Sequence, residues 1–193
     1  MNSPKIDLSP ETLEKLQIYH GLLVKWQEAI NLVAHSTIDG AWNRHFLDSI
    51  QLVNFISPDV KTLIDLGTGG GFPGMVLAIV RPDIEVILVD SDSKKCEFLK
   101  TVSRETNVTV KVFDERLEKL YGRMKADLVT ARALANLPKL LGHMEGLGTN
   151  KGLFLKGQAW EEEIGMAKRD YEFQYKMTPS MTNDESVILE VSF

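Results

Sequence analysis

A single cysteine, Cys96, stands in a chain of 193 residues. No intramolecular disulfide can form, which suits a reducing compartment, and the thiol is expected half-buried on a helix. Long apolar runs are also missing: nothing approaches the ~20 residues that a membrane span requires. The opening stretch MNSPKIDLSPETLEKL has neither the basic nor the apolar region of a secretory signal, so a cytoplasmic location is expected. His20, His35 and His143 show no metal-ligand spacing with one another or with Cys96, and no metal site is expected. Internal repeats and low-complexity tracts are absent. Positive charge is scarce overall, with 22 Lys and Arg against 27 Asp and Glu, a net −5 that argues against a general nucleic-acid binder.

What is present is ordinary in composition and uneven in arrangement. A chain 44% hydrophobic and 25% charged can bury a core as one domain, with or without a helical extension. Residues 94–139 carry 11 basic and 6 acidic side chains, a local +5, with Lys94, Lys95, Arg104, Arg116, Lys119 and Lys139 among the candidates for one basic face.

Two helices are expected first. Ser9-Pro10-Glu11 supplies an N-cap, a proline at the first helical position and an acid in the first turn. Leu13, Leu16, Tyr19, Leu23, Trp26 and Ile30 then recur at helical spacing, predicting about five turns. A second helix fits Trp42 to Ile56 and stops at Ser57-Pro58. After Pro58, short β-branched runs alternate with helical ones, the pattern of a parallel sheet covered on both faces. Strands are predicted near 62–66, 85–90, 108–113, 126–130 and 151–156, with helices near 75–81, 93–106, 136–147 and 158–170. EFQYKM and SVILEVSF face each other across a connection too short for a crossover helix, so they should pair antiparallel. The fold class is α/β, with residues 1–58 as an N-terminal helical extension and 59–193 as a Rossmann-like domain. Its mostly parallel seven-stranded sheet, closed by a C-terminal antiparallel hairpin, resembles the class I S-adenosylmethionine-dependent methyltransferases.

In such a sheet the ligand lies at the carboxyl ends of the strands. TLIDLGTGGGFPGM, residues 62–75, ends the first strand, and Gly69, Gly71 and Gly74 satisfy the spacing G-x-G-x-x-G. A dinucleotide and S-adenosylmethionine would both meet this loop. Asp65 helps to separate them: two residues before Gly67, it would repel a pyrophosphate and welcome the ammonium of a methionine moiety. Asp90, at the end of the second strand, is placed to accept from ribose hydroxyls with either cofactor. A dehydrogenase needs room for a substrate domain, which this chain lacks, so S-adenosylmethionine is favoured.

The chain also resembles the bacterial 16S ribosomal RNA guanine-N7 methyltransferase family once called glucose-inhibited division protein B. The matching stretches are INLVA at 30–34, RHFLDSI at 44–50, IDLGTGGGFPGMVLAI at 64–79, VDSDSKKCEFL at 89–99, ERLEK at 115–119, ARAL at 131–134 and LKG at 155–157. The resemblance implies a cofactor site at Gly67, Phe72, Leu117, Glu118 and Arg132, and a target guanine in small-subunit RNA near the decoding centre. ARAL departs from the family's more frequent Ser-Arg-Ala-Phe but keeps the arginine. The substrate would be 16S RNA, within the small subunit or an assembly intermediate, and the enzyme a monomer. A small-molecule or protein methyltransferase and a non-catalytic ribosome-assembly module are the rival readings.

Guanine N7 has a free lone pair, so its methylation needs alignment rather than a general base. The fourth strand is followed by ALAN, residues 133–136, where amino-group methyltransferases place Asn or Asp before Pro-Pro and an aromatic. Arg132 and Lys156, ending strands four and five, are assigned to substrate positioning at phosphate, O6 or the cofactor carboxylate. His45 and Asp48 share a helix face and are candidates to close the site or bind RNA. Glu161, Glu162 and Glu163 are expected as a solvated helix start.

Overall fold

The computed structural model describes residues 8–193. Its order is α1 (Pro10–Gln27), a helical stretch over residues 42–55, β1 (Thr62–Leu66), α3 (Gly74–Val80), β2 (Glu85–Asp90), α4 (Ser93–Thr106), β3 (Lys111–Asp114), β4 (Leu128–Arg132), α5 (Leu137–Leu147), β5 (Lys151–Lys156), α6 (Trp160–Ala167), β6 (Gln174–Pro179) and β7 (Val187–Ser192). The stretch over 42–55 contains the short α2 (Asp48–Ile50). Seven strands lie in the order β3-β2-β1-β4-β5-β7-β6. The first five run parallel, and β7 pairs antiparallel with both β5 and β6. Most predicted boundaries hold within two residues; β3 begins three residues late, because Val108 and Val110 pack beside the core without joining the ladder.

Alternate side chains of each strand enter opposite cores. Leu63, Leu88, Leu128 and Leu153 face one cluster, and Ile64, Ile87, Val129 and Phe154 face the other. The first cluster takes α1, α3 and α4, and the second takes α5 and α6. Buried Cys96, its thiol pushed up to about 11 by burial, is part of the packing of α4.

The predicted second helix is one helical stretch with changing winding: π over Trp42–Leu47, α over Asp48–Ile50 and 3-10 over Gln51–Phe55. The wide turn carries Arg44 and His45, which with Asp48 just after it border the site described below. α1 begins as predicted, with Ser9 Oγ accepting from the Thr12 amide. Its buried Tyr19 stacks on Phe72 at 5.4 Å, meets Phe46 edge-on at 4.9 Å and donates its hydroxyl to the Gly70 carbonyl. The N-terminal helices thus press directly on the glycine loop.

Replacing Tyr19 with Phe keeps the ring and strands a buried carbonyl. We expect a stability loss of about 1–3 kcal/mol in urea unfolding at pH 7. An unchanged midpoint and slope would show that the loop does not lean on this hydroxyl.

Candidate active site

β1 pairs with β4 so that Asp65 lies beside Thr130. The Thr130 hydroxyl donates to Asp65 Oδ1 at 2.8 Å, and the Gly74 amide, first in α3, donates to Oδ2 at 3.0 Å. The carboxylate is fully buried, and burial pushes its pKa up to about 6 against these bonds. A Cβ on Gly74 would stand 2.5 Å from the Asp65 Cβ, so only glycine lets α3 come this close. Asp65 therefore holds the loop from beneath, fully buried and not bordering the cavity, where the sequence set it against a cofactor ammonium. Gly71 likewise does not border the cavity. With φ +96 it lies under the loop, where a Cβ would meet Tyr19, Leu99 and Met75.

Above this support a cavity of about 870 Å³ opens at the carboxyl ends of the parallel strands. Gly67, Gly69, Phe72, Asp90, Leu117, Glu118, Arg132 and Lys156, all named from the sequence, border it. The structure brings to the same cavity Leu32–Ala34, Arg44, His45, Asp48, Leu134, Lys139, His143 and Glu163. Asp90 Oδ2 accepts from the Gly69 amide at 2.8 Å and Oδ1 from the Asp92 amide at 2.9 Å. Each oxygen retains a lone pair.

Arg132 is mostly buried, and its guanidinium lies 5.1 Å from the centre of the Phe72 ring. It donates to the Arg44 carbonyl at 3.1 Å and to Asp48 Oδ2 at 3.4 Å. Burial lowers its pKa from the ordinary value while Asp48 opposes the shift. Asp48 Oδ1 accepts from the Thr182 hydroxyl at 2.6 Å and from Gln51 Nε2 at 2.9 Å. One buried carboxylate thus joins the upstream helix, the β6–β7 turn and Arg132. Beside it, burial and the charges of Arg132 and Arg44 lower His45 to about 3, so the imidazole is neutral at physiological pH.

Lys156 does not project a free ammonium. It pairs with Glu163 Oε2 at 2.6 Å and donates to the Ala135 carbonyl at 2.9 Å, and it is 8% exposed. It borders the cavity with its ammonium already engaged, at the position the sequence assigned to phosphate, O6 or the cofactor carboxylate. Glu163, read as solvated, is turned inward, while Glu161 and Glu162 are exposed. No pattern in three consecutive glutamates marks the third; only the docking of α6 selects it. Leu32–Ala34 were signalled by the INLVA match and Lys139 by the basic segment 94–139, whereas nothing in the sequence places His143 at the cavity.

His45 has a pKa lowered on folding, from 6.5 to about 3. The unfolded chain binds this proton first as pH falls, so the stability that His45 contributes is lost as pH drops below about 6.5. Asp65, raised from 3.8 to about 6, acts with the opposite sign, which makes a variant comparison necessary. Between pH 7 and pH 5, His45→Gln should lose about 1–2 kcal/mol less stability than wild type in urea unfolding. Equal losses in the two proteins would refute the neutral assignment.

The family model described as GidB, rRNA small subunit methyltransferase G, matches residues 12–188. The chain is 44% identical over 192 residues to Ribosomal RNA small subunit methyltransferase G of Paramagnetospirillum magneticum, covering 97% of this chain and 91% of the relative. It is 41% identical over 191 residues to the protein of the same name from Parvibaculum lavamentivorans, covering 96% and 84%. In three dimensions it is similar to the ribosomal protein L11 methylase of Lactobacillus delbrueckii, with a TM-score of 0.60 and 17% identity, covering 76% of each chain. That likeness speaks for the fold. The match over nearly the whole length, joined to a cavity bordered by the glycine loop, Asp90 and Arg132, shows that this chain belongs to the rRNA small subunit methyltransferase G family.

Proposed function

We propose that the chain transfers a methyl group from S-adenosylmethionine to N7 of a guanine in 16S ribosomal RNA. The carrying observation is the engagement of the proton-accepting groups around the end of β4. Asp48 is held by Arg132, Gln51 and Thr182; Glu163 is held by Lys156; His45 is too weakly basic to take a proton near pH 7. A nucleophile that must first lose a proton is poorly served there, and a ring nitrogen with a free lone pair is well served.

When bound, the cofactor supplies an electrophilic methyl on a sulfonium. The residues fit such a ligand. The Gly67 turn, with φ +58, and the Gly69 amide shape the floor. Asp90, each oxygen holding one backbone amide, keeps acceptor capacity for ribose hydroxyls. Leu117 offers apolar contact, and exposed Glu118 offers an acceptor for an exocyclic amine. Phe72 and Arg132 define the end of the cavity nearest the upstream helix, where Arg132 orients a carboxylate, a phosphate or guanine O6. A guanidinium on N7 itself would block the nucleophile.

The rim supports an anionic polymer as substrate. Arg44, Lys95, Arg116 and Lys139 border the cavity, and none of them has an ion-pair partner within 4.0 Å among the described residues. The acidic remainder of the surface disfavours indiscriminate binding, in keeping with structured RNA inside the small subunit or an assembly intermediate as substrate. The enzyme would act there as a monomer in the cytoplasm.

Purified protein, labelled cofactor and small subunits from cells lacking the enzyme should yield labelled 7-methylguanosine, and Arg132→Ala should slow transfer at least tenfold. Label on another nucleoside, or an Arg132→Ala rate within about twofold of wild type, would overturn the assignment. Raising salt from roughly 50 to 200 mM should weaken RNA binding by an order of magnitude or more while leaving cofactor affinity nearly unchanged.

A further inference from the structure

The turn between β4 and α5 combines features that packing alone does not require. Ala133 has φ +52, a left-handed backbone that non-glycine residues seldom adopt. The next residue, Leu134, is a large apolar side chain left 37% exposed, and it borders the cavity. A Cβ on Gly67 would clash with its Cδ1, so the side chain rests directly on the glycine turn. The α5 side of this turn is held from below. Lys156 Nζ donates to the Ala135 carbonyl at 2.9 Å and pairs with Glu163 Oε2 at 2.6 Å; the same oxygen accepts from the Leu137 amide at 2.7 Å. Asn136, between them, caps α5 by accepting from the Lys139 amide at 3.2 Å.

A buried ion pair contributes little net stability when a well-packed apolar pair could replace it. A strained turn persists only where its surroundings over-determine it, and such turns gather at functional sites. Here the over-determination comes from Lys156 and Glu163, and what the turn exposes is a leucine.

We propose that Leu134 is the apolar seat on which the target base packs, and that the buried Lys156–Glu163 pair is the positioning device that holds this seat over Gly67. The inference rests on the methyltransferase reading and names the part of the cavity that takes the acceptor base. Glu118 and Asp90 border the third- and second-strand side of the cavity, while Leu134 stands at the fourth-strand side next to Arg132. A purine laid on an aliphatic side chain gains contact over its whole face, while its edge stays free for Arg132 and for attack on the methyl group. Lys156 and Glu163 act through the turn and touch no substrate.

The test measures single-turnover methyl transfer to small subunits, counted on whatever nucleoside carries the label, beside calorimetric affinity for S-adenosylmethionine. Leu134→Ala should lower kcat/KM for the subunit at least tenfold with cofactor Kd within twofold of wild type, and Leu134→Phe should restore the rate to within threefold. Removing one buried charge risks unfolding, so the clamp is tested by the double variant Lys156→Met with Glu163→Leu. It should keep the far-ultraviolet circular dichroism and cofactor affinity of wild type and lose tenfold or more in transfer. Leu134→Ala acting within twofold of wild type, or losing cofactor affinity in proportion to rate, would overturn the seat. A double variant as active as wild type would overturn the clamp. A product other than 7-methylguanosine would sink the guanine-N7 reading and leave these comparisons decisive.

Discussion

A carboxylate with no access to water organises the centre of this molecule. Asp65, next to last in the middle strand of the parallel sheet, has one oxygen on Thr130 of the neighbouring strand and the other on the first amide of α3. Burying a charge is unfavourable unless hydrogen bonds compensate it, and here each bond also fixes a structural join: β1 to β4, and strand to helix. The residues between Asp65 and Gly74 have little freedom once both ends are tied. The glycine loop is therefore shaped from below, and its upper surface is left to the ligand.

The same loop is pressed from the side by the N-terminal helices. Tyr19 bonds to Gly70 and stacks on Phe72, and Phe46 meets both rings edge-on. Phe72 in turn carries the Arg132 guanidinium on its face, and Asp48 restrains that guanidinium from the upstream helix. An aromatic cluster and one ion pair thus link α1, the π-wound turn and the end of β4. The upstream helices are part of the site's wall, and any movement of them would be felt at Arg132.

Around the cavity, charges divide by partnership. Those buried in its wall or beneath it are satisfied internally: Asp48 with Arg132 and Lys156 with Glu163 in the wall, Asp65 beneath. Those on the rim, Arg44, Lys95, Arg116 and Lys139, have no such partners among the described residues. Buried pairs set geometry, and unpaired rim cations retain their field for a polyanion. This division leaves unpaired cations, beside Asp90, Glu115 and Glu118, at the cavity of a protein of net charge −5.

Periodicity and turn chemistry by themselves determined the element order, the parallel sheet and its antiparallel ending, since alternating apolar residues face two cores and Ser9-Pro10-Glu11 favours a helix start. The glycine spacing and Asp90 located the cavity, because strand ends are set by chain order. Tertiary structure decided which way the charged side chains turned. Asp65 points down because Thr130 lies beside it in register; Lys156 is neutralised because α6 docks Glu163 against it; and Leu134 stands over Gly67 because Ala133 takes a left-handed backbone. Each of these depends on a partner distant in the chain, and a one-dimensional pattern records the identity of a charge but not the neighbour that satisfies it.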